Sequence, residues 1–448
     1  MSTTESVHRC VSEERLREDI TTNAEFGAIG TDEGHGRTVL TGTDANRRAR
    51  EYLVDRLDAA GLDVRVDAIG NITGRWVPDG ADPTARAVAC GSHLDSVPEG
   101  GIFDGVLGVY SGLEAVRALQ AADADIDRPI EVVCFTEEEG GRFSNGVLGS
   151  SVASGKRSVE DALSLADGDG VTLDTALSDI GFRGTDRLDA SAWDSWLELH
   201  VEQGERLQDA GAAVGVVSAI TGTIRCAVEI EGEADHSGST TMAERTDALA
   251  AASELVLEVE RAANDVVAEN GDTVVGTVGK LGVAPNAINV VPGRVELGID
   301  VRDVAYESME RIVARVRDCL STLEADRGVE TTFERPYDIA PSTMSERCTA
   351  ALRDAAAAMD VPSLALHSGA GHDTMHVASV TEAGLLFAPS RGGFSHSPRE
   401  WTDWSSCATA TRVLTAGLAT LAREREPVPN DTDRSSDENT CAEARSDP

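Results

Sequence analysis

Apolar and polar positions alternate along the chain with two different periods. In ARAVACGSH (85–93) and PIEVVCFTEEE (129–139), short β-branched or apolar runs stop abruptly at ionisable side chains. Between them, GVLGVYSGLEAVRALQAA (105–122) carries apolar residues at helical spacing. This succession predicts a strand–helix–strand unit of an α/β sheet. From about residue 219 the rhythm changes. IRCAVEIEGE reads as a strand and MAERTDALAAASELVLEVERAAND as a long amphipathic helix. TVVGTVGKLGV and GRVELGIDVRD read as two strands, ESMERIVARVRDCLSTLEAD as a second helix and VETTFERP as a last strand. The order β-α-β-β-α-β is that of a ferredoxin-like unit. Gly/Ala-rich α/β patterning resumes after about residue 340 (CTAALRDAAAAMDV, TEAGLLFAPS), so the second unit is inserted into the first. The expected division is a larger α/β domain over 15–218 and 335–424, an insert over 219–334, and an acidic tail over 425–448. The tail has no core-forming residues and is expected to be disordered, and the polar first dozen residues to be mobile.

With 448 residues and 41% hydrophobic content, the chain is long enough for two or three domains with proper cores. No apolar run approaches the roughly 18 residues of a membrane span, and MSTTESVHRC lacks the basic-then-apolar order of a signal peptide. Cysteines stand singly at 10, 90, 134, 226, 319, 348, 407 and 441. Without a CxxC pair they argue against a thiolate zinc site or a disulfide framework and point to a reducing cytoplasm. Charge changes the picture most: 39 basic residues face 78 acidic ones, a net charge of −39. Nucleic acid is a poor partner for such a surface. Lys156 and Lys280 are the only lysines, and the acid is spread along the whole chain. This is the composition expected of a halophilic protein, kept soluble in concentrated salt where screening removes self-repulsion.

Ligands bind just outside the carboxyl ends of strands in parallel sheets. Two such ends carry ionisable clusters: GSHLDSVPEGGIFDG, with His93, Asp95 and Asp104, and FTEEEGGRF, with Glu137, Glu138 and Glu139. Three successive carboxylates repel one another, so a cleft that holds them needs positive charge, from Arg142 or, better, from a metal ion. LELHVEQG (His200, Glu202, Gln203) and GGFSHSPREWTDW (His396) place further imidazoles after apolar runs. Imidazole and carboxylate donors without thiolate suit zinc, manganese, cobalt or nickel. Two neighbouring metals need a carboxylate that bridges about 3.5–4 Å, and Asp104 fits that role. Taken singly, each signal is also the mark of a satisfied strand-end histidine or a solvated acidic loop. The combination points to a metal centre.

These motifs, together with GEADHSGST, PNAINVVPG and SGAGHD, stand in the order found in the M20 metallopeptidase superfamily. From about residue 20 to 420 the chain resembles its hydantoinase/carbamoylase branch. That branch holds N-carbamoyl-L-amino-acid hydrolases, β-ureidopropionase and allantoate amidohydrolase. The short gap between His93 and Asp104, and a histidine at position 200, resemble this branch rather than its peptide-cleaving relatives. The resemblance implies a dinuclear-metal aminopeptidase-like catalytic domain whose ferredoxin-like insert is a lid and dimerisation domain. It implies two divalent metal ions per subunit, one on His93 and His200, the other on Glu139 and His396, with Asp104 bridging and Asp95 orienting His93. Glu138 would be the general base for a water shared by the metals. His236 would reach the active site of the neighbouring subunit and stabilise the oxyanion of the tetrahedral intermediate. Asn286 and Arg302 would bind the substrate carboxylate, Arg302 as a two-pronged donor. Gln203 would contact the carbamoyl group or the metal-bound end, and His372 would line the pocket. Thr241 stands where the family usually has Pro, which is expected to loosen the loop carrying His236.

Plain structural roles stay open for three of these residues. His236 can also be read as a polar residue where a helix begins, Arg302 as a salt-bridging strand-end residue, and Asn286 as a turn residue beside Pro285. The activity implied by the resemblance is cleavage of the ureido C–N bond of an N-carbamoyl-L-amino acid to amino acid, ammonia and carbon dioxide. The expected enzyme is a cytoplasmic homodimer that acts on a small carboxylate-bearing N-carbamoyl or ureido substrate, without membrane or nucleic-acid partners. Allantoate is the nearest rival substrate. A dipeptidase or aminoacylase on the same fold is a second rival, and a non-catalytic binder a third, against which the intact Glu138 weighs.

Overall fold

The computed structural model describes residues 7–32 and 34–423; the tail expected over 425–448 lies outside them. The strands of its two main sheets are β1 (Asp63–Val66), β2 (Ile72–Trp76), β3 (Val88–His93), β4 (Ile130–Phe135), β5 (Ser195–Val201), β6 (Val214–Ile220), β7 (Gly222–Glu231), β8 (Val275–Ala284), β9 (Arg294–Asp303), β10 (Glu330–Ile339), β11 (Ser342–Thr343), β12 (Ser363–Ser368) and β13 (Glu382–Ala388). Nine of them form a mixed sheet in the order β11-β6-β13-β5-β3-β4-β2-β1, with β12 paired to β6. The central strands β13, β5, β3 and β4 are parallel, and β1, β2 and β6 join antiparallel.

The N-terminal segment differs from expectation. Val7 and Val11 are buried, and the Ser12 side chain accepts from the Arg15 amide to cap helix α1 (Glu13–Ala24). The Ser12 amide in turn donates to buried Glu114 at 2.6 Å. Two apolar anchors and a satisfied carboxylate hold these residues in place despite their polar neighbours.

Strand β3 shows why the centre reads as near-continuous apolar sequence. Val88 and Cys90 enter the core that contains α2 (Val106–Ala121) and the helix Trp404–Arg423. Ala89 faces the other side, toward Trp193 and Trp196. A parallel strand covered on both faces needs apolar residues at every position. The expected strand–helix–strand unit is β3-α2-β4.

A second, antiparallel sheet has the order β8-β9-β7-β10. With α3 (Ala248–Asn270) and α4 (Tyr306–Arg327) its chain order is β7-α3-β8-β9-α4-β10, the β-α-β-β-α-β order expected. Helix α3 starts where Asp247 accepts from the Leu249 and Ala250 amides at 3.0 Å each. Alternation along β7 sends Ile224, Cys226, Val228 and Ile230 into a separate core with both helices. Thr223 and Arg225 therefore stand on the opposite face. Strand β10 runs past Pro336 to Ile339, with a register shift between Glu334 and Tyr337 where proline has no N–H for the ladder. Among the described residues no helix is long and apolar enough to cross a membrane.

Candidate metal centre and active site

Because β3, β4, β5 and β13 are parallel, their carboxyl ends open on one edge of the sheet. His93 ends β3, Glu137–Glu139 follow β4, His200 lies near the end of β5, and His396 sits in the loop after β13. Asp104 immediately precedes Gly105, the N-cap of α2, so the positive end of that helix faces the carboxylate. Asp104 Oδ1 lies 3.4 Å from His93 Nε2 and 3.1 Å from His200 Nε2. Its Oδ2 lies 3.5 Å from His396 Nε2, which is 3.2 Å from Glu139 Oε2. Two three-residue donor sets, His93–Asp104–His200 and Asp104–Glu139–His396, thus share one carboxylate with an oxygen for each.

The donors fit a pair of divalent cations. His93 Nε2 and Glu139 Oε1 are buried without a hydrogen-bond partner among the described residues. The far nitrogens are committed: His93 Nδ1 lies 3.1 Å from the Asp95 carbonyl and His200 Nδ1 3.0 Å from the Val201 carbonyl. Those contacts place the protons on Nδ1 and aim the Nε2 lone pairs at Asp104. The carboxylates crowd one another. Burial pushes Glu139 up to about 8, with Asp104 adding to the rise and His93 opposing it. Burial likewise lifts Glu138 well above the usual carboxylate range, against the pull of His93. Burial opposes charge on Asp104 too, but His200 and His93 hold it well below its ordinary value. A site with this excess of acid is suited to cations. His396 is the one donor open to solvent, its side chain 49% exposed.

The surroundings hold the acidic loop in place, partly by unexpected means. Asp95 orients His93 through its backbone carbonyl; its carboxylate accepts from the Glu138 and Glu139 amides at 3.3 and 3.1 Å. The Arg142 guanidinium does not neutralise the three glutamates. It binds Asp167 and the Thr41 carbonyl, while the amides of Arg142 and Phe143 donate to Glu137. Two further residues escaped the sequence reading. Buried Glu400 accepts from the Phe103 and Asp104 amides at 2.9 and 3.0 Å, and Ser395 bridges Glu400 to Asp104. A Cβ on Gly101 would lie 2.2 Å from Glu400 Oε1, so the GG pair at 100–101 marks a close approach without naming its partner. Buried Arg37 donates to the Leu94 and Gly101 carbonyls and to Asn23, setting a positive charge beneath the loop that carries Asp104.

A cavity of about 280 Å³ opens over the donors. Glu138, Gln203, His372 and Arg302 line it. Gln203 Nε2 donates to Asp104 Oδ2 at 3.3 Å and to Ser395 at 3.1 Å. His372 bonds Ser368 and stands edge-on to His200, ring centroids 4.6 Å apart, so it braces that ligand ring as well as the wall. Arg302 is salt-bridged to Asp300 at 2.8 Å, yet still faces the cavity. His236 and Asn286 are not brought to it. His236 lies in a short ladder with Val290, and Asn286 occupies a left-handed turn (φ 53°) after the cis Ala284–Pro285 bond; both are exposed. The His236 loop is braced in spite of Thr241. Arg245 donates to the Ser237 and Thr240 carbonyls, Thr241 to Glu244, and Thr240 to the His236 carbonyl. His236 Nδ1 accepts from the Gly238 and Ser239 amides at 3.0 and 3.1 Å, which leaves Nε2–H as an outward donor.

Comparison with known proteins agrees with this geometry. Residues 89–420 match peptidase family M20/M25/M40. The chain is 38% identical to an N-carbamoyl-L-amino-acid amidohydrolase of Paenarthrobacter aurescens, over 92% of this chain and 98% of the relative. It is 33% identical to an allantoate amidohydrolase of Bacillus subtilis (strain 168), over 89% and 95%. The solved amidase of the hydantoinase/carbamoylase family from Burkholderia multivorans superposes with a TM-score of 0.85 at 34% identity, covering 92% of this chain and 98% of that one. A family model that spans most of the chain, and relatives this similar over nearly their whole length, show that the chain belongs to peptidase family M20/M25/M40, among its hydantoinase/carbamoylase amidases.

Proposed function

We propose that the protein is a dinuclear-metal hydrolase that cleaves the ureido C–N bond of N-carbamoyl-L-amino acids, giving amino acid, ammonia and carbon dioxide. The observation that carries this reading is Asp104, whose two oxygens each face a separate donor pair, in a chain 38% identical to an enzyme of that name. Two divalent ions, held by His93 and His200 and by Glu139 and His396 with Asp104 between, would supply Lewis acidity to a shared water and the substrate carbonyl. Zinc, manganese, cobalt and nickel all suit this donor set.

Glu138 Oε2 lies 3.6 Å from His93 Nε2 and faces the cavity. It takes the proton of the attacking water and hands it to the leaving nitrogen. The planar Arg302 guanidinium binds the substrate carboxylate, and Gln203 faces the carbamoyl end. His236 presents Nε2–H from outside this subunit's cavity. In a homodimer paired through the insert, that donor serves the developing oxyanion of the neighbouring site, and Asn286 reaches the same substrate. Exposure of Met242 and Ile288 beside these two residues supports such pairing. Allantoate remains the second reading, favoured by the Bacillus relative and served by the same residues.

One assay tests both parts. Metal-loaded protein should release ammonia fastest from an N-carbamoyl-L-amino acid, more slowly from allantoate, and leave dipeptides uncut. Glu138→Gln should keep fold and metal but lose roughly 10²–10⁴-fold in turnover. A mixture of Glu138→Gln and His236→Ala chains should regain part of the activity once subunits exchange. Preference for dipeptides, or no recovery on mixing, would overturn the corresponding part.

A further inference from the structure

We propose that Arg225 is a second carboxylate-recognising residue of this site, acting beside Arg302. The inference rests on the function proposed above and sharpens its substrate class. In the β7–β9 register Arg225 stands opposite Asp300 and Arg302 opposite Thr223. Residues two apart on a strand share a face, so all four project from the face turned away from α3 and α4. Arg225, Arg302 and Tyr337 all line the cavity that holds Asp104, Glu139 and His396.

Asp300 binds both arginines, and only through Nε. Arg302 Nε reaches Oδ1 at 2.8 Å and Arg225 Nε reaches Oδ2 at 3.2 Å. The outer Nη edges of both guanidinium groups therefore stay free of that carboxylate. One Nη of Arg302 donates to the Gly369 carbonyl at 3.2 Å. The Nη groups of Arg225 have no hydrogen-bond acceptor among the described residues. Elsewhere in the same insert, Arg311, Arg315 and Arg327 use their Nη atoms on Glu269, Glu258 and Glu254. What sets Arg225 apart from other arginines without an acceptor, such as Arg317 over Phe333, is that its fork faces the cavity of the metal donors. Its Cζ lies 5.0 Å from the centroid of Tyr337, its cross-strand neighbour on β10, a cation–π contact that helps to hold the group at the cavity. Two guanidinium groups share one carboxylate, which leaves a net positive charge opposite the metal donors. A planar fork of this kind selects a carboxylate by two parallel hydrogen bonds.

The carboxylate has two possible sources in an N-carbamoyl amino acid: the α-carboxylate, shared with Arg302, or a second one on the side chain. Three substrates separate them: N-carbamoyl-L-methioninamide with none, N-carbamoyl-L-methionine with one, and N-carbamoyl-L-glutamate with two. Ammonia release by metal-loaded wild type, Arg225→Gln and Arg225→Lys is measured for each, with the thermal midpoint checking that the variants fold. Arg225→Gln should raise KM about tenfold for a carboxylate substrate, with a much smaller change in kcat and a smaller effect on the carboxamide. Arg225→Lys should restore part of the loss. An effect on both acids assigns the α-carboxylate, and an effect on the glutamate derivative alone assigns the side chain; either supports the proposal. Equal KM changes for all three substrates, or none, would overturn it while leaving the proposed function standing. If wild type cleaves none of the three, the function itself fails and this inference with it.

Discussion

His376 shows how a single buried group sets a pH limit on this molecule. It lies in the short helix Thr374–Val377, its Nδ1 buried without a partner among the described residues. Burial, with Lys156 and Arg157 nearby, lowers its pKa from 6.5 to about 4. Below pH 6.5 the unfolded chain binds a proton there that the folded chain refuses. This contribution to stability is therefore intact above 6.5 and is lost progressively as pH falls to about 4, by roughly 3 kcal/mol in all. Denaturant unfolding between pH 7 and 4 should show a shallower loss for His376→Gln than for wild type; parallel curves would contradict it. At this scale the sequence offered His93, Asp104, Glu139, His200 and His396 as candidates because each stands at the end of an apolar run or in the loop that follows one, and the structure brings them together. It was not readable for Glu400, Arg37 or Arg225. Each looks like an ordinary surface charge until the fold carries it to the site from a distant stretch of chain.

The elements meet at the site with little slack, and the glycines record it. Gly105 caps α2 with φ 68°, and a Cβ there would come within 2.4 Å of the His93 ring. Gly91 in β3, at φ 152°, leaves no room either: a Cβ would meet the Val133 carbonyl at 1.9 Å. Gly105→Ala should displace His93 and weaken metal binding by about tenfold or more, the scale seen when the supports of metal ligands are disturbed. Metal retained after dialysis against a weak chelator measures this, with circular dichroism confirming the fold; unchanged retention would contradict the tight contact. The β3-α2-β4 unit and the β-α-β-β-α-β order were legible because period and length separate strands from helices. The anchoring of residues 7–12 was not, since Val7 and Val11 are two apolar side chains in a polar stretch and their partners lie far along the chain. Nor was the brace that Arg245 gives the His236 loop, a pair of hydrogen bonds to carbonyls that no residue pattern announces.

For the whole molecule, charge is the governing quantity. A net charge of −39 repels itself at low ionic strength. The thermal midpoint should rise by roughly 10 °C or more from dilute buffer to molar KCl, the equivalent of several kcal/mol at 2–4 °C each. A midpoint indifferent to salt would mean that the acidic surface is not an adaptation to it. The same excess of acid makes the metal centre the place where positive charge must be supplied, and the central claim is that two ions supply it through one shared carboxylate. Metal-free protein titrated with a divalent ion, with ammonia release from an N-carbamoyl-L-amino acid as the readout, tests this most directly. Activity should be absent without metal and should reach its plateau at two equivalents per chain. In His396→Ala, which loses a donor of one set only, a single ion should remain bound and activity should stay low. Full activity at one equivalent, or in metal-free protein, would contradict the account.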